Sequence, residues 1–332
     1  MNLPLPLGLL LWPFSMVYGG YVRCRRQLYA RGWLKQKRLN ATVISVGNLT
    51  VGGTGKTPMV LWLAERLVAQ GKRVAILSRG YKGTRNSSDE VELLKRRLGG
   101  RVVFGIGPDR FASGSRLEGQ QPIDVFVLDD GFQHLQLTRD LDILMLDGSR
   151  KLENKWLLPA GPLREPIAAC HCADILIVSR KCERPAIEAR DAHKFCIFYA
   201  QTRLLGFRRF GHDPDQKYVS EIGCGPFLAF CGVGNPGAFF DDLSRWHVQV
   251  VERKIFADHH KYSLQDLERL QYQSEACGAV GLVTTEKDAE NLSAANSRLP
   301  IWVAVIDLVF PAESELLAAI DRKLAARQGA AA

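Results

Sequence analysis

Short apolar runs alternate with segments of helical apolar spacing through the first half of this 332-residue chain. Thr42–Val46 is a β-branched run that ends in a glycine-rich turn. Pro58–Ala69 follows with apolar positions at helical spacing, so this stretch predicts strand, loop and helix. Arg73–Leu77 predicts the next strand, with Gly71 stopping the helix before it. Asp124–Leu128, Asp142–Leu146 and Asp174–Val178 predict further buried strands. Strands alternating with helices imply a parallel sheet covered on both faces. Around Phe195–Phe210 basic residues fall between spaced aromatics, and the pattern predicts a two-stranded ribbon or linker. A second α/β pattern then runs through Pro226–Cys231 (strand), Gly237–Leu243 (helix) and Val248–Val251 (strand). Strands at Ala279–Thr284 and Ile301–Ile306 and a helix at Glu313–Arg327 complete it, and Gly329–Ala332 is expected to fray. No internal repeat and no low-complexity block interrupts this order. The expectation is two α/β lobes with a cleft between them.

The amino terminus has a different character. Met1–Val22 carries no charge, and then Arg23, Arg25, Arg26, Arg31, Lys35, Lys37 and Arg38 arrive with no acid among them. A secretory signal has the reverse order. A spanning helix needs about 20 apolar residues, and Pro4, Pro6, Pro13, Gly8, Gly19 and Gly20 make one regular span awkward without excluding it. Three readings stand: an anchor lying in a membrane interface, an apolar helix packed on the protein's own core, and a true span. The basic tract suits an anionic membrane surface, where each Lys or Arg is worth about 1 kcal/mol. A nucleic-acid role has no reading motif to accompany it.

Composition narrows the classes. Hydrophobic residues make 46% and charged residues 24%, which is globular and neither disordered nor fibrous. Lys and Arg outnumber Asp and Glu 44 to 35, and the net charge of +9 favours an anionic partner. Eight Cys in a chain of this length, none as Cys-x-x-Cys, point to free thiols in a reducing compartment. Cys170-His-Cys172 lacks a second pair at suitable spacing and makes a poor zinc site.

The chemistry concentrates in Thr50-Val51-Gly52-Gly53-Thr54-Gly55-Lys56-Thr57, placed after a strand and opening a helix. Glycines let successive backbone N–H groups turn inward around phosphates, and the following helix presents its positive end to the same anion. Lys56 would reach the β- and γ-phosphates and the Thr57 hydroxyl would bind Mg²⁺. Thr50 departs from the glycine usual at the first position. Asp129 and Asp130 end the apolar run that starts at Val125, which places paired carboxylates at a strand's carboxyl end to hold the metal. His134 is ambiguous alone. These features specify a nucleoside triphosphate with magnesium and leave the phosphoryl acceptor open among a small or lipidic hydroxyl, water and a conformational switch.

The chain resembles the tetraacyldisaccharide 4′-kinase family. The resemblance rests on Val46–Pro58, Ser78-Arg-Gly-Tyr81, Asp129-Asp-Gly-Phe-Gln-His134, Leu158–Glu165, Gly234-Asn-Pro236, Phe256-Ala-Asp-His259 and Thr285-Glu-Lys-Asp288, in order across nearly the whole chain. It implies two α/β/α lobes, with a P-loop-type parallel sheet in the N-terminal lobe and a smaller C-terminal α/β lobe joined by a short β ribbon. On the chain this divides as residues 1–40, a membrane-associating segment; 41–195, the nucleotide-binding kinase domain; 196–212, the ribbon; and 213–332, the C-terminal domain. The implied reaction moves the γ-phosphoryl of ATP to the 4′-hydroxyl of a tetraacylated glucosamine disaccharide 1-phosphate, a lipid A precursor. The implied setting is the cytoplasmic face of a bacterial inner membrane, and the chain is expected to be a monomer without a nucleic-acid partner.

The family's tolerance of a non-glycine first position removes the objection raised by Thr50. Its candidate base maps onto Asp89 and the partnering His onto His259, with His260 adjacent. The Gly and Pro that flank this Asp in the family are missing here, so Asp89 is either that base or a solvated carboxylate of a polar loop. Such a pair on different lobes would couple catalysis to closure. Arg79, Arg110 and Arg164 are candidates for contacting the substrate 1-phosphate or ATP. A regulatory ATPase of the deviant phosphate-loop kind is the alternative, and it needs Lys where Val51 stands. A GTPase would want Asn-Lys-x-Asp, whose spacing Thr285-Glu-Lys-Asp288 does not match.

Overall fold

The computed structural model describes residues 5–80, 88–149, 156–180, 196–211, 218–223, 225–292 and 298–331, with side chains from residue 8 to residue 327. The chain divides into two compact units. One comprises Met1–Tyr81, Gly100–Gln201 and Val309–Ala332, the other Lys82–Gly99 and Thr202–Leu308.

The first unit is built on a parallel sheet. Its strands are β1 (Thr42–Asn48), β2 (Val74–Ser78), β3 (Val103–Ile106), β4 (Val125–Asp129), β5 (Leu141–Asp147), β6 (Ile175–Ser179) and the start of β7 (Cys196–Arg209). They lie in the order β3-β2-β4-β1-β5-β6-β7. Helices cover both faces, so β2, β4, β5 and β6 are buried along their whole length. β1 sits centrally, with Val46 opposite Asp129 of β4 and Ile143 of β5. The strand order reverses there, which places the loop after β1 at a topological switch point. Helix α2 (Lys56–Ala69) follows that loop and buries Met59, Val60, Leu61, Trp62 and Leu63.

The second unit holds the remainder of β7 together with β8 (Phe227–Cys231), β9 (Val250–Ile255), β10 (Gly281–Thr285) and β11 (Ile301–Val309). Their order is β7-β11-β10-β8-β9. Helices α5 (Pro236–Arg245) and α6 (Leu264–Ala276) and the short α7 (Glu286–Glu290) connect them. The stretch expected to form a ribbon or linker holds the 14-residue strand β7, and among the described residues Phe207 of β7 pairs antiparallel with Val219.

Three helices carried too few apolar positions to stand out in the sequence: α3 (Asp89–Leu98), α4 (Arg110–Gln120) and α6. Each is started by a side-chain cap, from Ser88, Asp109 and Ser263 respectively. The carboxyl-terminal helix α8 (Glu313–Ala331) continues through the stretch expected to fray, in keeping with its alanine content.

The amino terminus forms a single 26-residue helix, α1 (Leu5–Ala30), with Pro13 inside it. Among the described residues no helix is long and apolar enough to cross a membrane. Glycine makes α1's close approach to the body of the unit: a Cβ on Gly8 would lie 2.9 Å from the Trp156 ring, and one on Gly19 would lie 2.7 Å from Leu157 Cδ1. Ser15 donates to Leu157 O (2.8 Å) and accepts from Ala160 N (3.0 Å) on the same side. The opposite face exposes Leu9, Leu10, Phe14, Val17 and Tyr21, with Leu10 70% and Val17 75% accessible. Amphipathicity is thus inverted: polar and small residues face the protein and large apolar ones face outward.

Candidate active site

The first constellation belongs to the sheet's switch point. Gly52 and Gly55 adopt φ of 109° and 87°, left-handed conformations open to glycine. Gly55 is the N-cap of α2 with no side chain capping it, so the helix start is bare backbone, the form an anion cradle requires. Neighbouring segments hold the loop in shape. Asn48 Nδ2 donates to Thr54 Oγ1 (2.9 Å), Ser179 Oγ donates to Thr54 O (3.2 Å), and Val51 N donates to Pro162 O (2.8 Å). The last contact, with the Thr50–Leu163 bridge, makes the Leu158–Glu165 segment a brace for the loop.

The acidic doublet divides in two. Asp129 is buried at the end of β4, where its carboxylate accepts from Ser78 Oγ (3.4 Å). Asp130 turns out of the strand with φ 52° and meets Lys56 Nζ at 3.1 Å and Arg164 Nη1 at 2.8 Å. Burial pushes its carboxyl up, but Lys56 and Arg164 outweigh that and hold it below the usual range. Gly131 and Gly47 allow this packing: a Cβ on Gly47 would fall 2.7 Å from Phe132 N. Thr57 and Asp129 offer the hydroxyl and carboxylate oxygens that a hard divalent cation takes. Among the described residues no three His, Cys, Asp or Glu cluster as metal ligands.

Of the three arginines weighed from sequence, Arg164 binds Asp130 and Arg79 is exposed. Arg110 is buried, and its Nη1 donates to Pro108 O (3.0 Å). Burial and Arg79 pull its pKa down against Asp130 and Asp129. Burial, Arg110, Arg139 and Arg25 push His134 down to about 4, so it is neutral at physiological pH. Tyr81 lies outside the described residues.

Helix α1 reaches the same machinery. Arg25 Nη1 donates to Gln133 O (3.0 Å) and Tyr18 OH to Arg164 O (2.9 Å). Arg26 is paired with buried Glu165 and lies over the Phe132 ring. Gln133 Nε2 in turn donates to Asn48 O (2.9 Å) beside the loop.

The second constellation lies in the second unit. Asp89 is the first residue of α3, not a loop carboxylate, and its side chain is 4% exposed. It accepts from Glu90 N (3.0 Å) and Asn291 Nδ2 (3.1 Å), and His259 Nδ1 lies 2.9 Å from Oδ2. Burial raises its pKa, but the His259 hydrogen bond, Lys287 and Asn291 prevail and lower it. His259 holds φ 61°, and its N–H donates to Gly232 O (3.2 Å). His260 stands apart: its Nε2 pairs with Asp266 (3.1 Å) and its ring stacks on Phe256. Asp89 and His259 therefore share one unit, where chain order suggested separate lobes, because residues 82–99 join the second unit through α3 against α7. Lys287 and Asn291 on or beside α7 went unnoticed in the sequence as partners of Asp89. The Thr285-Glu-Lys-Asp288 block was their only signal.

A glycine cradle, its lysine and an acidic doublet at the switch point of a parallel sheet define a P-loop nucleotide-binding phosphotransferase fold. A sequence profile described as tetraacyldisaccharide-1-P 4′-kinase matches residues 7–325. The chain belongs to that family. Tetraacyldisaccharide 4′-kinase of Geobacter metallireducens is 39% identical over 334 residues, covering 95% of this chain and 98% of that one. The namesake from Halorhodospira halophila is 37% identical, covering 96% and 94%. Among solved structures, LpxK from Aquifex aeolicus in complex with ATP superposes with a TM-score of 0.75 at 30% identity, covering 96% of this chain and 99% of that chain. The regulatory-ATPase alternative is not favoured.

Proposed function

We infer that the chain transfers the γ-phosphoryl of ATP to the 4′-hydroxyl of a tetraacyldisaccharide 1-phosphate. The acceptor's oxygen bonds to the γ-phosphorus, the bond to the β–γ bridging oxygen breaks, ADP leaves, and the hydroxyl proton goes to Asp89. Phosphoryl transfer has a loose transition state, so placement and charge neutralisation dominate and the proton leaves late. A carboxylate positioned to meet the hydroxyl serves that late step. The backbone of residues 50–55 and Lys56 hold the phosphates, and Thr57, Asp129 and Asp130 would hold Mg²⁺. The magnesium would neutralise the phosphate oxygens. Lys56 and Arg164 already surround Asp130, so this end of the sheet carries cations ready for phosphate.

The observation that carries the reading is the Asp89–His259 pair, a buried carboxylate held by an imidazole from a distant segment. A sugar kinase has use for such a base. For location, the outward apolar face of α1 supports attachment to a membrane interface, and the basic residues 23–38 support the anionic cytoplasmic leaflet. The chain would work there as a monomer without a nucleic-acid partner. Given ATP, Mg²⁺ and the tetraacyl disaccharide 1-phosphate in detergent, the purified protein should yield a bisphosphorylated lipid. Brisk ATP hydrolysis with no transfer would instead indicate a regulatory ATPase. Asp89→Ala should lower turnover by orders of magnitude with ATP still bound, and near-normal turnover would remove Asp89 from its role.

A further inference from the structure

Lys287 lies between two anchored acids on α7. Glu286 before it is buried and paired with Arg97 (2.9 Å). Asp288 after it is buried and accepts from Gly232 N (2.7 Å), Tyr262 OH (2.7 Å) and Thr285 Oγ1 (2.6 Å). Gly232 also accepts the His259 N–H, so Lys287 and His259 are fastened to the same piece of backbone. The Lys287 ammonium sits 3.4 Å from His259 Nε2, 3.1 Å from Asp258, 3.5 Å from Glu90 and 4.0 Å from Asp89. An ammonium has three donors and no acceptor. Its approach to Nε2 is a hydrogen bond only when that nitrogen carries a lone pair, and the imidazole proton then resides on Nδ1, facing Asp89.

We propose that Lys287 is a positioning residue for the Asp89–His259 pair. It fixes His259 as the tautomer protonated at Nδ1, so that the ring donates to Asp89 and the carboxylate stays free of that proton until the acceptor hydroxyl delivers its own. The proposal rests on the reading of that pair as the group that handles the acceptor. Among the described residues the charged groups around the imidazole are Asp89 from α3, Asp258 from its own loop and Lys287 from α7, and Glu90 of α3 pairs with that lysine. Their balance agrees with the geometry. The hydrogen bond to Asp89 raises His259, while burial and Lys287 pull it back. Burial works against the lysine's own charge, but Glu90, Asp89 and Asp258 more than restore it, so Lys287 is an ammonium at neutral pH.

The test is ¹⁵N-histidine NMR on the full chain, without nucleotide or lipid, with His259→Asn assigning the resonance. On the alkaline side of its titration His259 should show the Nδ1–H tautomer. In Lys287→Met the imidazole midpoint should move up by about one pH unit, and Lys287→Arg should restore it. In the lipid assay the acid limb of kcat should move up with it, with KM for ATP unchanged. The proposal is overturned by an Nε2–H tautomer in the unmodified protein, a reading that needs no variant to fold, or by an unmoved midpoint in a folded Lys287→Met. Failure of the kinase reading shows separately, as absent lipid phosphorylation or full turnover in Asp89→Ala, and leaves the tautomer result standing.

Discussion

Removing the Arg26 guanidinium should destabilise the first unit by several kcal/mol, although Arg26 lies in a segment that reads as a membrane tether. Glu165 is 2% exposed, the Arg26 side chain is 17% exposed, and the guanidinium also covers the Phe132 ring 4.6 Å from its centroid. Truncating one member of a buried ion pair leaves the other charge without a partner and costs about 3–5 kcal/mol. Because water still reaches part of Arg26, the lower end applies, about 3 kcal/mol. Loss of the cation–ring contact adds about 0.5–1 kcal/mol. Arg26→Met keeps the apolar stem and so isolates the charge. Urea unfolding followed by tryptophan fluorescence gives the change, and Arg26→Met combined with Glu165→Gln closes a double-mutant cycle. The pair variant should recover about 2 kcal/mol relative to the sum of the single changes. A loss below about 1 kcal/mol for Arg26→Met, or strict additivity in the cycle, would refute the claim that α1 is locked to the site through this pair.

Three further outcomes are expected. Gly47→Ala puts a methyl 2.4 Å from Phe132 Cβ and should cost about 1–3 kcal/mol in urea unfolding while weakening nucleotide binding measured by calorimetry. His134 is held at about 4 in the fold, mainly by burial, against an ordinary value near 6.5. The unfolded chain therefore binds its proton first as pH falls, stability is lost between those two values, and His134→Gln should flatten that stretch of the stability–pH curve. Replacing Leu10 and Val17 by Ser on the outward face of α1 should weaken flotation with anionic vesicles equally at low and high salt, whereas neutralising Lys35, Lys37 and Arg38 should weaken it only at low salt. Unchanged flotation in both sets would return α1 to a purely structural role.

Local sequence settled those features whose physics is local. The phosphate loop was legible because a cradle needs glycines, a lysine and a helix start in consecutive positions. The buried strands were legible because a parallel sheet covered on both faces demands uninterrupted apolar runs, as at Val125–Leu128 and Ile175–Val178. Helices α3 and α6 escaped notice because they are mostly polar and are held by caps and packing more than by a broad apolar face. The family resemblance pointed to His259 over the adjacent His260, and the structure supplies the physical reason: a left-handed turn at His259 points its ring to Asp89, while His260 pairs with Asp266. Tertiary structure alone decided that Asp130, not Asp129, takes Lys56 and Arg164, and that α3 joins the C-terminal strands. It also decided which face of α1 is inward. An uncharged run shows how much apolar surface exists, but only the partners Trp156, Leu157 and Glu165, more than a hundred residues away, determine which side is covered.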